Sequence, residues 1–352
     1  TFKYWWPKVE TSRKVESNRK EIEQYISKLT PLDFSFLGVL ADGGVGLQTG
    51  DNGKLLGVVN STKTAINHIQ ARPRKLLQAL NNEPKIFKKF PQLKVIDDLE
   101  SAETYLDSLT EKEIWKLFDD IKDSFGLRIL GKGFIYRIVP EKDILEINSM
   151  TDDEKENGIK STDEIFVRYD KGDRDGNKWL SDTPFVINWN QDAVKWLKEN
   201  SGKSGAGMPV VRNPQFYFKS GFSWNCINGT RNTNAFKFKF IHPSVNDVQG
   251  MKLSLNPVAS HLLSDKYIVC LNNSFLINRL SEAFINFTVA FQINDTRQIP
   301  IIIPTKENLA SFESKFDKYF EIQQQYFNGD IEKAEARKLL KPIELEIDEM
   351  VN

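Results

Sequence analysis

Residues 200–246 read NSGKSGAGMPVVRNPQFYFKSGFSWNCINGTRNTNAFKFKFIHPSVN, with six Lys or Arg (Lys203, Arg212, Lys219, Arg231, Lys237 and Lys239) and no Asp or Glu. The whole 352-residue chain balances 48 basic against 48 acidic residues, so this surplus is local. Within it AFKFKFI alternates strictly, which predicts a strand with Phe236, Phe238 and Phe240 on one face and Lys237 and Lys239 on the other. The loop before that strand is rich in amides and hydroxyls: Ser223, Asn225, Asn228, Thr230, Asn232, Thr233 and Asn234. Cations hold phosphates and amides read base edges bidentately, so the pattern suits a nucleic acid. On composition alone an ordinary hairpin with a solvated outer face is the commoner case.

A neutral chain has no global field for steering toward DNA, which confines any nucleic-acid site to a patch. The length allows a sizeable core, arranged as two domains or one elaborate one. No apolar run reaches membrane-spanning length, and a soluble, cytoplasmic protein without membrane partners is expected. The first residues, TFKYWWPKVE, show neither an initiator Met nor a signal-peptide pattern and read as part of a longer polypeptide. Cys226 and Cys270 stand in apolar contexts and read as reduced core thiols. His68, His242 and His261 are too scattered for a zinc site.

Upstream of the basic stretch, a helix is expected over about residues 12–29, stopped by Pro31. FSFLGVL reads as a strand followed by the glycine-rich ADGGVGLQTGDNGKLLGV, whose spacing fails the G-x-G-x-x-G dinucleotide fingerprint. Residues 63–94 hold eight Lys or Arg against Glu83 and read as helices interrupted at Arg72-Pro73. Residues 97–123 reverse the balance, with ten acidic residues against three basic. There Thr110 and Glu113 form a capping box, Ile114, Leu117, Phe118 and Ile121 form the apolar stripe, and Gly126 ends the helix. These two blocks are expected to pack as an inserted helical unit with solvated faces. RILGKGFIYRIV, EIFVRY and FVINW read as strands, and a short helix carries Val194, Trp196 and Leu197. Asp170, Asp173 and Asp175 imitate a calcium loop but lack its twelfth-position Glu, so no metal site is expected.

Downstream, KYIVCLNNSFLINRLSEAFINF reads as strand, polar turn and helix, and TVAFQIND and QIPIIIP as two further strands. Asn272, Asn273 and Ser274 suit a helix N-cap better than a ligand. Pro304-Thr305 opens a long helix with Leu309, Phe312, Phe316 and Phe320, Asn328-Gly329 turns the chain, and Asp330 caps a last helix. The fold class is α+β: a helical segment over 1–35, a strand-rich body over 36–304 with a helical insertion at about 63–125, and a separable helical tail over 305–352.

Five landmarks occur in order: GLQTGDN (46–52), EIFVRYDKGDRDGNKWLSDTPFVINWN (164–190), RNPQFYFKSGFSW (212–224), LNNSF (271–275) and QINDTRQIPIIIP (292–304). Over roughly residues 36–304 the chain resembles the C-terminal half of adenine-specific DNA methyltransferases of the type IIG restriction-modification and BREX phage-exclusion class. There the same succession follows the catalytic domain and forms the target recognition domain. The resemblance implies duplex DNA as partner, a methyltransferase domain on the same polypeptide, and S-adenosyl-L-methionine as that domain's cofactor, with or without endonuclease activity. No cofactor and no catalytic residue is expected in this chain. The nearest match to an Asn-Pro-Pro-Tyr catalytic motif, Asn213-Pro214-Gln215-Phe216, is broken by Gln215.

On this reading Arg212, Lys219, Arg231, Lys237 and Lys239 contact phosphates, and Asn225, Asn228, Asn232 and Asn234 read base edges, with Ser223 beside them. Trp224 either wedges against a sugar or base or anchors the loop as a buried indole. Gln48, Thr49, Asp51 and Asn52 either line a cleft toward the catalytic domain or form a self-satisfied turn. Two other readings stand: an interaction or scaffold module using the acidic helical segments, and a complete enzyme with a degenerate S-adenosyl-L-methionine site.

Overall fold

Apolar runs between turn residues become eleven short strands among the described residues. These residues of the computed structural model are 15–126, 128–172, 177–180, 183–224, 237–286, 288 and 290–351. In chain order the strands are β1 (Phe34–Phe36), β2 (Ala41–Gly44), β3 (Leu56–Val59), β4 (Arg137–Val139), β5 (Phe166–Asp170), β6 (Phe185–Asn188), β7 (Gly221–Trp224), β8 (Phe238–Ile241), β9 (Val245–Asn246), β10 (Lys252–Leu255) and β11 (Pro300–Ile302). They form a four-stranded sheet, β2-β10-β7-β8, a five-stranded sheet, β4-β3-β6-β5-β9, and a β1-β11 ribbon. The four-stranded sheet and the ribbon are antiparallel, whereas β3-β4 and β5-β9 pair in parallel.

Period-two alternation sets the faces of the four-stranded sheet. In the β7-β8 register Phe222 opposes Phe240 and Trp224 opposes Phe238, and their rings lie on one face against the main core. That core is completed by the helix Asp265–Asn273 and by Phe312, Phe316, Tyr319, Leu340, Ile343 and Ile347 of the last two helices. The C-terminal helices are therefore integral to the strand-rich body, not separable from it. The five-stranded sheet packs a second core with the helix Gln191–Asn200, through Val167, Ile187, Val194 and Leu197.

The helical insertion has a core of its own, including Leu76, Leu80, Leu106, Leu117, Phe118 and Ile121. Its expected Thr110–Glu113 capping box is present, and Gly126 ends that helix at φ 94°. The α+β class holds, with helical insertion and helical tail in their expected places.

Several boundaries differ from expectation. FSFLGVL divides into β1 and a helical turn (Leu37–Leu40), with β2 following directly. Lys63–Asn82 is one continuous helix despite Pro73, because Arg72, Pro73 and Leu76 are buried on its packed face. Packing there offsets the roughly 3 kcal/mol that an internal proline costs. KYIVCLNN is a helix, Asp265–Asn273, buried on every side from Tyr267 onward because it runs through the main core. Ser274 caps the next helix, Phe275–Phe284, by accepting from the Ile277 N–H. QIND forms a helical turn, Ile293–Thr296, leaving Pro300–Ile302 as the strand of that region. Thr305 caps Lys306–Asn328 as expected, Gly329 ends it at φ 83°, and the last helix starts at Lys333, beyond Asp330.

Candidate nucleic-acid interface

The turn of residues 46–52 lies against the segment 207–213. Gln48 and Val210 exchange both backbone hydrogen bonds, at 3.0 and 2.8 Å. Asn213, left-handed at φ 49°, donates from Nδ2 to the Val45 carbonyl at 2.9 Å. Asn213 thus ties two loops together, and its amide is spent within the fold. Glycine is required where these backbones meet. A Cβ on Gly44 would lie 2.4 Å from Asn213 Nδ2, and one on Gly50 (φ 72°) 2.4 Å from the Gly207 and Met208 carbonyls. Their Cβ-sized spaces are filled by the chain itself.

Of the residues expected to meet DNA, Gln48, Arg212 and Lys219 are exposed, and Asn52 and Lys237 are half-buried. Arg212 lies two residues beyond the Gln48–Val210 bridge, and Lys219 Nζ lies 5.4 Å from the Phe216 ring centroid. Asn225, Asn228, Arg231, Asn232 and Asn234 lie outside the described residues, as do Asp173, Asp175 and Cys226.

Five expected contacts are corrected by burial. Thr49 donates its hydroxyl to Asn52 inside the turn, and the Asp51 carboxylate pairs with Lys122 of the helical insertion at 2.9 Å. Ser223 is 3% exposed, and Trp224 is a buried anchor whose indole N–H donates to the Phe291 carbonyl at 3.0 Å. Lys239, expected on a solvent face with Lys237, is 2% exposed. Alternation does place it opposite the phenylalanines, but that second face is also covered. Trp179 joins the outer edge of β8 by donating its N–H to the Phe238 carbonyl and accepting from the Phe240 N–H, both at 2.8 Å.

Lys239, Ser223 and Lys252 follow one another across the sheet and belong to a buried polar seam. Lys252 Nζ donates to the Lys219 carbonyl at 2.9 Å. Burial pulls the Lys252 ammonium down to about 8, against the opposing pull of the Asp170 carboxylate. Burial likewise pushes Asp265 up to about 6, although the Ser220 hydroxyl and the Leu255 N–H favour its charged form. Tyr169 Oη donates to Asp247 Oδ2 at 2.8 Å and lies 3.2 Å from the Leu47 carbonyl oxygen, and burial raises the Asp247 carboxyl above its ordinary range. This seam clamps the 46–52 turn from below through β5 and β9.

Sequence reasoning missed Tyr169, Asn246, Asp247 and Lys252 as supports of the site. The available signal was the turn VNDVQG (245–250) three residues after FKFKFI, where the Asp247 side chain accepts from the Gln249 N–H at 2.8 Å. Among the described residues no group of His, Cys, Asp or Glu could hold a metal ion, and no helix is long and apolar enough to cross a membrane. No model of a known protein family matches the chain, and no curated protein was found similar to it.

Proposed function

We propose that the face built by residues 46–52 and 207–219 recognises duplex DNA in a sequence-dependent way. It would serve as the specificity part of a site-specific adenine DNA methyltransferase whose S-adenosyl-L-methionine chemistry resides in another domain of the polypeptide. The observation that carries this reading is the pairing of two stretches distant in sequence, residues 45–48 and 210–213, which bring the starts of GLQTGDN and RNPQFYFKSGFSW side by side. Gln48 joins Val210 and Asn213 joins Val45, with the cations Arg212 and Lys219 left exposed beside them. Phosphate contacts from Arg212, Lys219 and Lys237 set the register. The amide-rich chain between β7 and β8, with Asn225, Asn228, Asn232 and Asn234, reads bases.

Fluorescence anisotropy with labelled duplexes over a salt series tests the reading. Replacing Arg212, Lys219 and Lys237 together by Gln is expected to flatten the slope of log K against log salt by about 2.7, roughly 0.9 per phosphate lost. Asn228→Ala is expected to change preference among duplexes by about 1–3 kcal/mol while leaving the slope unaltered. Absence of any salt-dependent duplex binding by the unmodified chain would remove the proposal. The second reading, an interaction module, draws on the apolar cluster Leu32, Phe34, Phe284 and Ile302, which is exposed at the β1-β11 ribbon. Association with a protein that persists at high salt, without any duplex shift, would favour it.

A further inference from the structure

The helical insertion carries a groove that the recognition face does not use. It has a volume of about 1280 Å3 and lies between the helix Lys63–Asn82 and the loop of residues 128–132. Arg74, Lys75, Arg128 and Lys132 line it against one carboxylate, Glu103. Gln70, Arg74 and Gln78 stand four residues apart and so form one row along the helix.

The far wall is built rather than incidental. Lys75 Nζ donates to the Leu130 and Lys132 carbonyls, at 3.1 and 2.5 Å, and fixes the loop's curve. Gly131 takes φ 71° where a Cβ would lie 3.1 Å from Gln78 Oε1. Neighbouring cations of the insertion are engaged: Arg72 by Glu111, and Lys122 by Asp51 and Asp119. Arg74, Arg128 and Lys132 are exposed and join no ion pair among the described residues. Like charges gathered round a groove repel one another, a cost that an anionic ligand relieves.

The donors are spread along the groove instead of converging on one point. From Gln70 to Gln78 the row is about 12 Å long, a span in which one strand of a duplex presents roughly three or four phosphates. Cations alternating with amides match a sugar–phosphate backbone better than a compact anion. The helix that carries the groove also packs toward the five-stranded sheet. His68, on the same helix, packs edge-on to Tyr136 at 4.7 Å, and Lys171, directly after β5, donates to Tyr136 Oη at 2.6 Å.

We propose that this groove is a second backbone clamp, gripping the phosphates of a duplex that flank the stretch inspected by the 46–52 face. It rests on the DNA reading above, and its test separates the two. Arg74, Arg128 and Lys132 are replaced together by Gln, and the control replaces Lys306, Lys318 and Lys338, exposed on the C-terminal helices, by Gln. Anisotropy is measured over a salt series with duplexes of about one and about three helical turns. On the longer duplex the groove variant is expected to lose about 2.7 in salt slope and the control none. On the shorter duplex both are expected to match the unmodified chain. All three groove side chains are exposed, so melting temperature should not change and a folding defect is recognised directly. An unchanged slope on the longer duplex, or an equal change in the control, overturns the clamp and leaves the recognition face standing. Failure of the unmodified chain to bind either duplex overturns both.

Discussion

Lys252 and Asp265 show how far the chemistry of a side chain departs from what its letter promises. Lys252 is 1% exposed on an inner strand, β10, which β2 and β7 flank along both edges. Its ammonium falls from an ordinary 10.5 to about 8, and Asp265 rises from 3.8 to about 6. The folded chain thus holds the Asp265 proton more tightly than the unfolded chain does. Asp265 contributes stability that is complete below pH 3.8 and lost as pH rises through 6. For Lys252 the contribution is complete above pH 10.5 and lost as pH falls through 8. Asp265→Asn, which has no charge to bury, is therefore expected to melt above the parent chain at pH 7 and to lose that advantage at about pH 4. Lys252→Met should show its advantage at pH 7 and lose it toward pH 10.5. Melting curves of both variants across this range check the assignment, and pH-independent differences would refute it. Neither residue was identifiable in the sequence, because burial of a lysine depends on which strands cover its own.

At the scale of elements, most local signals were read correctly, Asp330 excepted, and long-range ones were not. Thr110–Glu113, Thr305 and Gly329 terminate helices through bonds within a few residues, and a few residues are what a sequence displays. The helix Lys63–Asn82 misleads because what sustains it past Pro73 comes from elsewhere. Arg72 donates to both Glu111 carboxylate oxygens, at 2.7 and 2.5 Å, and to the Tyr136 carbonyl at 2.8 Å. Glu111 also accepts from the Ile138 N–H of β4 at 2.7 Å. One carboxylate therefore fastens the insertion both to its own first helix and to the five-stranded sheet. Glu111→Ala would leave the guanidinium of Arg72, 4% exposed, without its counter-ion and should cost about 3 kcal/mol. Urea titration measures the loss, and a change below about 0.5 kcal/mol would contradict the fastening role. The KYIVCLNN helix was misread for a related reason: an apolar run of that length has the same periodicity as a buried strand.

Across the whole molecule, order along the chain was legible and partnership was not. Gln48–Val210 and Asn213–Val45 join the turn of residues 46–52 to the segment before β7, and no local pattern announces that pairing. The polar seam beneath them joins β5, β9 and β10, and no periodicity marks that junction. The C-terminal helices show the same limit, since a charged amphipathic tail reads as separable until its apolar stripe is placed. That stripe lies in the main core, with Tyr319 at 4.6 Å and Phe316 at 6.3 Å from Trp179 and Phe316 at 5.9 Å from Phe240. Trp179 in turn supplies the outer backbone partner of β8, so the helices brace the strand that follows the amide-rich residues 225–236. A chain ending at residue 304 would uncover Trp179, Phe240 and Tyr267 together. It is expected to lose cooperative melting and bind a hydrophobic dye, whereas a separable tail would leave the transition of the body unaltered. Phe316→Ala, a smaller change, tests the same packing: burial at 2% exposure gives an expected loss of about 3–5 kcal/mol in urea. If the body carries its own core, both changes leave its stability intact. If the helices complete that core, both lower it, and the duplex binding proposed for the 46–52 face is expected to decline with the fraction folded.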